Sequence, residues 1–449
     1  MLGGKSVKKK NGYFWVLVWG LGLAGQLCWN MENQWFNTFV YAKIAKDPTI
    51  ISWMVGVSAT ATTISTFLFG CISDRIGKRK ILVAVGYILW GVFTILFGMT
   101  EIITGHENTG SSAEVLLVAG FAVVAADAIM SFFGSMGSDI GFNAWINDHM
   151  NDNNRGQLGG ALATQPVIGT IVGTVVGGML VGADNNYMRL FLTMGIAVIL
   201  FGVFSLFAMK DAPELTPSKR GSFGQQFFSI FNVKNYVKLK ELVWVNWTLA
   251  VYFIAFNMYF THLGNYMIYY LGFTPDMMGY IEGIGLVLAM LCCIPVTSLL
   301  NKNKVPELVI TSIILTFAGV MTLGLFVRPE TVNPATLLNP VLLIGMFLVG
   351  VGYVLFLQSI TVWGKQLYPE DARGQFEGIR IVFFVLIPMI IAPLFSNPII
   401  KKSGEFVDAD GFVAYLPTHT LLLAGGIFVL LAFIPLFFAA KEFKKRISS

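Results

Sequence analysis

Long apolar segments recur along the whole chain, and they limit its possible folds more than any other feature. Twelve of them are long enough to cross ~30 Å of hydrocarbon as helices. They occupy residues 13–41, 50–72, 81–103, 114–146, 157–182, 187–209, 242–271, 276–300, 305–327, 336–363, 375–400 and 418–440. Only 12% of the residues are charged, against about 25% in a typical soluble domain. The sequence therefore predicts an all-α membrane protein with twelve transmembrane helices.

The positions of the basic residues test the number of helices and their direction. With the N-terminus placed in the cytoplasm, 23 of the 30 Lys and Arg residues fall in cytoplasmic segments, six fall outside, and Arg380 falls within a helix. Cytoplasmic loops of membrane proteins carry such an excess of Lys and Arg. We therefore expect both termini to be cytoplasmic, in a multi-pass protein of the plasma or inner membrane.

Several function classes lack their signature motifs. The chain has no GxxxxGK[ST] phosphate-binding loop and neither HExxH nor GxSxG. Its four cysteines lie in apolar runs without the spacing of metal ligands, and its basic residues are spread over loops. We therefore expect neither an enzyme nor an ATP-driven pump, and no cofactor, metal site or nucleic-acid partner.

The two halves of the chain carry related sequences. Trp145 is followed ten residues later by Arg155-Gly156-Gln157, and Trp363 is followed ten residues later by Arg373-Gly374-Gln375. The repeat predicts a six-helix bundle at 1–209, a cytoplasmic linker with an amphipathic segment at 210–241, and a second bundle at 242–449. Such a repeat implies a pseudo-twofold axis along the membrane normal and a cavity between the halves near the middle of the bilayer.

The connection between the second and third segments carries a specific motif. It reads Gly70-Cys71-Ile72-Ser73-Asp74-Arg75-Ile76-Gly77-Lys78-Arg79-Lys80. This resembles the GxxxDRxGRKR loop of the major facilitator superfamily, with Lys78 in place of the usual Arg. In that family the acid and the arginine form a cytoplasmic latch in the outward-facing state. The resemblance implies a major facilitator fold and a latch built from Gly70, Asp74, Arg75 and Gly77, with Arg155 and Arg373 in the repeated connections.

A second motif lies on the fourth segment, where the chain reads Ser138-Asp139-Ile140-Gly141-Phe142-Asn143-Ala144-Trp145. This resembles the helix-four signature of the glycoside–pentoside–hexuronide:cation symporters, which include melibiose carriers, and it is also similar to sucrose transporters. The resemblance implies cation-coupled sugar transport, with Asp139 and Trp145 at the sugar. Those carriers hold their cation with acids on helix two, whereas this helix offers only Ser and Thr. We therefore favour a proton as the coupling ion, with sodium as the alternative.

Five charged residues fall within the apolar segments: Glu32, Asp127, Asp139, Glu282 and Arg380. A charge at the bilayer centre costs ~2.5–3.5 kcal/mol on insertion scales, so such residues are expected to face a cavity. Asp139 and Arg380 come from opposite halves, and together they could accept and donate hydrogen bonds to sugar hydroxyls. A purely structural ion pair is the alternative. We expect Glu32, Asp127 or Glu282 to carry the coupling cation, although Asp127 could simply be solvated near the outer end.

The first segment is unusually polar. Gln26, Asn30, Asn33 and Asn37 recur every three or four residues, which predicts one amide stripe along a helix. Asn257 lies on a similar polar face of the seventh segment. Amides both donate and accept hydrogen bonds, so we expect these side chains to bind substrate. Hydrogen bonding between helices is the alternative.

Together these features predict proton-coupled symport of a glycoside or a di- or oligosaccharide by alternating access. The expected partners are a small sugar and the lipid bilayer, and we expect a monomer. Two other classes stay open: an exporter of drugs or metabolites with the same fold, and a membrane sensor that does not transport.

Overall fold

The computed structural model describes residues 7–105, 113–150, 154–213, 234–293, 304–368, 373–407 and 411–448. Within these residues it contains twelve helices that are long and apolar enough to cross a membrane. In chain order they are α1 (Gly12–Ile44), α2 (Pro48–Ile76), α3 (Lys80–Thr104), α4 (Glu114–Asp148), α5 (Gln157–Val181), α6 (Tyr187–Ala208), α7 (Lys240–Tyr270), α8 (Pro275–Cys293), α9 (Val305–Phe326), α10 (Pro340–Gln366), α11 (Gly378–Ser403) and α12 (His419–Ser448). The prediction of twelve transmembrane helices is confirmed.

Four of these helices contain a π-helical segment, in which each backbone N–H bonds the carbonyl five residues earlier instead of four. The segments are Val40–Ile44, Ser135–Phe142, Tyr266–Tyr270 and Val382–Leu386. A π-helical turn rotates the side chains that follow it relative to a regular helix, and such turns are common at functional sites. Asp139 lies in the longest of the four.

Local sequence fixes several helix ends. Asp47 caps α2 by accepting the backbone N–H of Thr49 at 2.8 Å, and Pro48 occupies the first turn, where its missing N–H costs nothing. Gly77 ends α2 with a φ of 65°. This left-handed conformation strains any residue with a Cβ, which explains a glycine at this position of the motif.

Small residues bring the helices close together. A Cβ on Gly86 of α3 would lie 2.5 Å from the Cα of Gly137 on α4, so only glycine allows this approach. Gly169 and Gly173 of α5 face Gln26 and Asn30 of α1 in the same way. Many large apolar side chains on the outside of the bundle are exposed, such as Leu117, Phe121 and Phe207. These surfaces suit a protein surrounded by lipid.

The two halves meet through three pairs of helices: α1 with α7, α2 with α11, and α5 with α8. The α5–α8 contact is especially close, because Gly178 lies against the backbone of Pro275 and Gly279 lies against the backbone of Thr174. The linker prediction falls mostly on residues outside the described ranges. Its described end contains a short helix, Lys234–Lys238, before α7. The division of the chain into domains stays a prediction.

A two-stranded antiparallel sheet connects α11 to α12 and was not predicted. Its strands are β1 (Glu405–Val407) and β2 (Val413–Tyr415), with Phe406 opposite Ala414. We call the end of the bundle with this sheet and Asp47 the hairpin face. The opposite end, with Arg79, Glu241 and Arg446, is the termini face, because Arg446 lies near the end of the chain.

Candidate functional site

A cluster of buried polar side chains joins α1, α2 and α4 inside the first half. Ser58 and Ser131 both donate to Oε1 of Glu32, at 3.0 and 2.7 Å, and their two hydroxyl oxygens lie 2.7 Å apart. Ser131 also bonds the backbone carbonyl of Asp127 at 2.8 Å. Asp127 therefore lies beside the same serine that binds Glu32. Two of the three predicted cation residues therefore belong to one cluster.

Both acids in this cluster have oxygens without a hydrogen-bond partner among the described residues. These atoms are Oε2 of Glu32 and Oδ1 of Asp127. Only 1% of the Asp127 surface is exposed, so the alternative that this residue is solvated near the end of its helix was wrong. A buried, unpaired carboxylate is unfavourable, and two side by side are more so. The cluster therefore favours an added positive charge.

Glu282, the third predicted cation residue, lies at the interface between the halves instead. Gln34 of α1 donates its side-chain N–H to Oε2 of Glu282 on α8. Thr174 of α5 donates to Oε1 of Gln34 at 2.8 Å. All three side chains are buried, and Oε1 of Glu282 has no partner in the described part of the chain. This second cluster connects the two halves through side chains.

Asp139 lies in the π-helical segment of α4, where its carboxyl group is near Ser135 and the indole of Trp29. The indole nitrogen of Trp29 is buried and forms no well-aligned hydrogen bond with the described residues. An unused donor beside a carboxyl group suits a ligand with hydroxyl groups.

Arg380 lies at the start of α11 in the second half, and its guanidinium lies over the Phe384 ring, 5.4 Å from the ring centre. Its own segment and the segment that contains Asp139 both pack against α2. A cavity shared by Asp139 and Arg380 stays a prediction.

The amide stripe of α1 divides among different surroundings. Gln26 packs against Gly169, and Asn30 lies 3.5 Å from the Thr174 hydroxyl, so both face α5. Asn33 is exposed and donates to the Trp29 carbonyl at 2.7 Å. Asn37 donates to the Asn33 carbonyl at 2.8 Å. Contacts between helices thus account for part of the stripe, and a role in substrate binding stays a prediction.

Asn257 lines a small cavity between the halves. The cavity is bounded by Ile51, Ser52 and Val55 of α2, Asn257, Thr261 and His262 of α7, and Met389, Ala392, Pro393 and Ser396 of α11. The Asn257 N–H donates to the Phe253 carbonyl at 2.8 Å. Its amide oxygen therefore stays available as an acceptor, as expected of a residue that binds a polar solute.

Trp145 does not lie at a polar cavity. Its indole N–H donates to the Lys210 carbonyl at 2.7 Å, and its ring packs against Phe14 and His149. Only 2% of the residue is exposed. Protein groups contact both its ring and its only donor, which favours a packing role, and the assignment of Trp145 to the substrate site stays a prediction.

The motif between α2 and α3 forms an ion cluster centred on Arg79, whereas the prediction named Arg75. Arg79 pairs with Asp74 and Asp148, each at 2.9 Å, and also bonds Ser73. Burial alone would lower the pKa of Arg79, but hydrogen bonds and attraction from Asp148 and Asp74 raise this pKa above its ordinary value. Gly77 supplies the left-handed turn, whereas Gly70 faces open space. The side chains of Arg155 and Arg373 lie outside the described residues.

With this geometry established, comparison with known proteins assigns the family. Residues 22–393 match the Major Facilitator Superfamily. The chain belongs to this superfamily. The protein is therefore a membrane transporter and not an enzyme, as predicted. No protein of curated function matches the chain.

Solved structures of other members share the fold at low sequence identity. A mutant form of the nucleoside transporter NupG is 13% identical with a TM-score of 0.67, and the match covers 94% of this chain and 99% of NupG. A bacterial homolog of the human lysosomal transporter Spinster, in an inward-facing and unoccupied conformation, is 12% identical with a TM-score of 0.69 over 99% of both chains. The xylose transporter XylE from E. coli, in an inward-open conformation, is 14% identical with a TM-score of 0.64, over 94% of this chain and 95% of XylE.

In this major facilitator protein the second half has its own charge cluster at the termini face, which the sequence reasoning missed. Trp363, the repeat counterpart of Trp145, donates to Oε1 of Glu241 at 2.7 Å. Arg446 binds both oxygens of the same carboxylate, at 2.8 and 3.1 Å. Trp363 and Arg446 both lie more than 100 residues from Glu241 in the sequence, so no local motif reveals this cluster.

Other missed residues had a weak signal in the sequence. Gln34 lies four residues after Asn30 and so continues one face of α1, but the prediction followed Asn33 and Asn37 instead. Ser58 and Ser131 carry no distinctive signal in the sequence, because a serine in a membrane helix often bonds only the backbone of its own helix. Only the placement of Glu32 between them identifies their role.

Proposed function

We propose that this transporter carries a small polyhydroxylated solute, a glycoside or a di- or oligosaccharide, together with protons by alternating access. The observation that carries the proposal is the set of buried polar groups without partners in the transmembrane region. Trp29, Glu32, Asp127 and Glu282 all keep such atoms among the described residues. Unsatisfied buried polar groups destabilise a packed membrane protein, whereas in a carrier such groups can bind a polar solute and a cation.

The class of solute rests on hydrogen-bonding chemistry. Carboxyl groups and amide oxygens accept from hydroxyls, and guanidinium and indole N–H groups donate to them. Asp139, Arg380, Asn257 and the amides of α1 provide these groups. The Asp139 motif supports membership of the glycoside–pentoside–hexuronide:cation symporter family. Two structural neighbours are a nucleoside transporter and a xylose transporter, whose solutes also carry sugar hydroxyls.

The proton is the preferred coupling ion because α2 has no acid within its central part, where melibiose carriers hold sodium. Sodium remains the competing ion, since the oxygens around Glu32 could also hold it. The distribution of basic residues supports a cytoplasmic location for the termini face. The polar contacts between the halves at the hairpin face then support an inward-facing state.

Uptake by the purified full-length protein in liposomes tests the function. We expect an imposed inward proton gradient to drive accumulation of a labelled sugar, identified beforehand from a panel by its thermal stabilisation of the protein. Asp139→Asn should reduce uptake by at least about a hundredfold, because the lost carboxylate leaves ligand donors unpaired. Asp184→Asn is the matched control, since this carboxylate lies at the surface and pairs with Arg189. Near-normal uptake by Asp139→Asn would remove this residue from the site.

A further inference from the structure

We infer that Glu32 and Asp127 form a single proton site inside the first half, separate from the cluster of Glu282 at the interface. The inference rests on the proposed function and deepens it by naming the coupling site. The sequence presented Glu32, Asp127 and Glu282 as three independent candidates. The structure brings the first two together through the Ser58 and Ser131 hydroxyls, whereas Glu282 bonds Gln34.

The cluster holds fewer donor hydrogens than acceptor oxygens. It contains three carboxyl oxygens that accept from the serine hydroxyls or have no partner among the described residues: both oxygens of Glu32 and Oδ1 of Asp127. Two hydroxyl hydrogens, from Ser58 and Ser131, are available to them. The single hydroxyl hydrogen of Ser131 has two acceptors within hydrogen-bond distance, Oε1 of Glu32 at 2.7 Å and the Asp127 carbonyl at 2.8 Å. One added proton on a carboxyl group supplies a donor and removes one charge.

The electrostatic surroundings of the two acids also favour a bound proton. The charged residues of α2, Asp74 and Arg75, lie at its far end, and those of α3, Lys80 and Glu101, lie at its two ends. In the described part of the chain, the titratable groups near the two acids include Asp139 on α4 and the Cys28 thiol on α1. None of these groups is a cation. Two neighbouring acids in such surroundings cannot both stay charged, so they hold a shared proton.

The helices α1 and α2 connect the acid pair to movement of one half against the other. Glu32 faces α2 and α4, whereas Gln34, two residues later on the same helix, bonds Glu282 of the second half. Ser58 belongs to α2, which packs against α11 of the second half. Binding or release of the proton therefore acts on two helices that contact the other half.

Full-length protein in liposomes tests the site through two readouts. The first is exchange of labelled for unlabelled sugar without any gradient, and the second is accumulation driven by a proton gradient. We expect Glu32→Gln and Asp127→Asn each to keep exchange but to lose accumulation by more than about tenfold. Asp184→Asn should retain both activities. Accumulation at the parent level in either variant, with a proton gradient alone, would overturn the shared site.

Two further measurements cover the other outcomes. If a carboxyl variant does not exchange sugar, Ser58→Ala tests the site instead, because it keeps both acids and removes one donor. Accumulation should then fall more than exchange. An unchanged ratio of accumulation to exchange overturns the inference. A sodium gradient at constant pH should drive no accumulation; if it does, the pair holds sodium and the proton site is wrong. If the parent protein transports no sugar at all, the proposed function fails before the site is tested.

Discussion

The two faces of the molecule are held together in different ways. At the hairpin face, polar contacts join the first half to the second: Ser52 bonds Asn397 at 2.8 Å, the Tyr415 N–H bonds the Lys46 carbonyl at 2.9 Å, and the Asn265 amide bonds the Asn37 carbonyl. At the termini face, the clusters around Arg79 and Glu241 each stay within one half. The polar groups of this face connect helices within one bundle, and those of the hairpin face connect the two bundles.

This difference agrees with alternating access, in which one end of the passage is closed while the other can open. The clusters around Arg79 and Glu241 do not have to break when the halves rock, because the contacts described for each lie within one bundle. An apolar contact between Phe67 of α2 and Gly378 of α11 does join the halves on the way to that face. Apolar contacts slide more easily than directional hydrogen bonds, so this contact is compatible with movement.

The largest effect should come from locking the hairpin face. We replace Ser52 and Asn397 by cysteines, in a background without Cys28, Cys71, Cys292 and Cys293. Oxidation should abolish transport, and reductant should restore it, because the covalent bond prevents the separation of α2 from α11. Uptake into liposomes before and after reduction measures the effect.

A matched pair of cysteines at Ser403 and Thr418, whose hydroxyl oxygens lie 3.1 Å apart, joins positions within the second half and should leave transport independent of oxidation. Unchanged transport in the oxidised Ser52–Asn397 protein, with the cross-link verified, would show that the hairpin face does not open.

A smaller effect is expected at the termini face, where Arg79→Gln should lower stability. Arg79 is 7% exposed and holds Asp148, which is 17% exposed, and breaking a buried pair in this way costs about 3–5 kcal/mol. Lys78→Gln, a change at an exposed neighbour, should have almost no effect. Thermal unfolding of the purified protein measures both changes, and equal melting temperatures for the two variants would contradict the central role of Arg79.

The sequence predicted the scaffold better than the site, for physical reasons that particular residues show. Apolar runs report directly on lipid, so they predicted the twelve helices, and the motif around Asp74 indicated the superfamily. The motif located the Asp74 loop, but not that Arg79 rather than Arg75 would bind Asp74, because Asp148 at the end of α4 and Asp211 just after α6 reach the loop from distant parts of the sequence. The strands at Glu405–Val407 and Val413–Tyr415 are too short for an alternating pattern. The Glu32–Ser131 contact depends on helix rotation that no local pattern encodes.

The smallest effect should come from the edge of the hairpin face, where Asp47 has two separate roles. It pairs with Lys401 at 3.5 Å, with both side chains partly exposed, and such a pair contributes only about 0.2–1 kcal/mol. It also caps α2, which contributes about 0.5–2 kcal/mol. Asp47→Asn keeps the cap and loses the charge, so its melting temperature should stay near that of the parent.

Asp47→Ala should be less stable than Asp47→Asn by about 1 kcal/mol, because alanine cannot accept the Thr49 N–H. Lys401→Gln removes the ion pair together with the contact of the Lys401 ammonium with the Tyr415 ring, so it should be at least as destabilising as Asp47→Asn. Adding salt should reduce the differences that arise from the ion pair and leave the cap unaffected. If Asp47→Asn proved as unstable as Asp47→Ala, the charge between the halves, and not the cap within the first half, would be the part of Asp47 that stabilises this face.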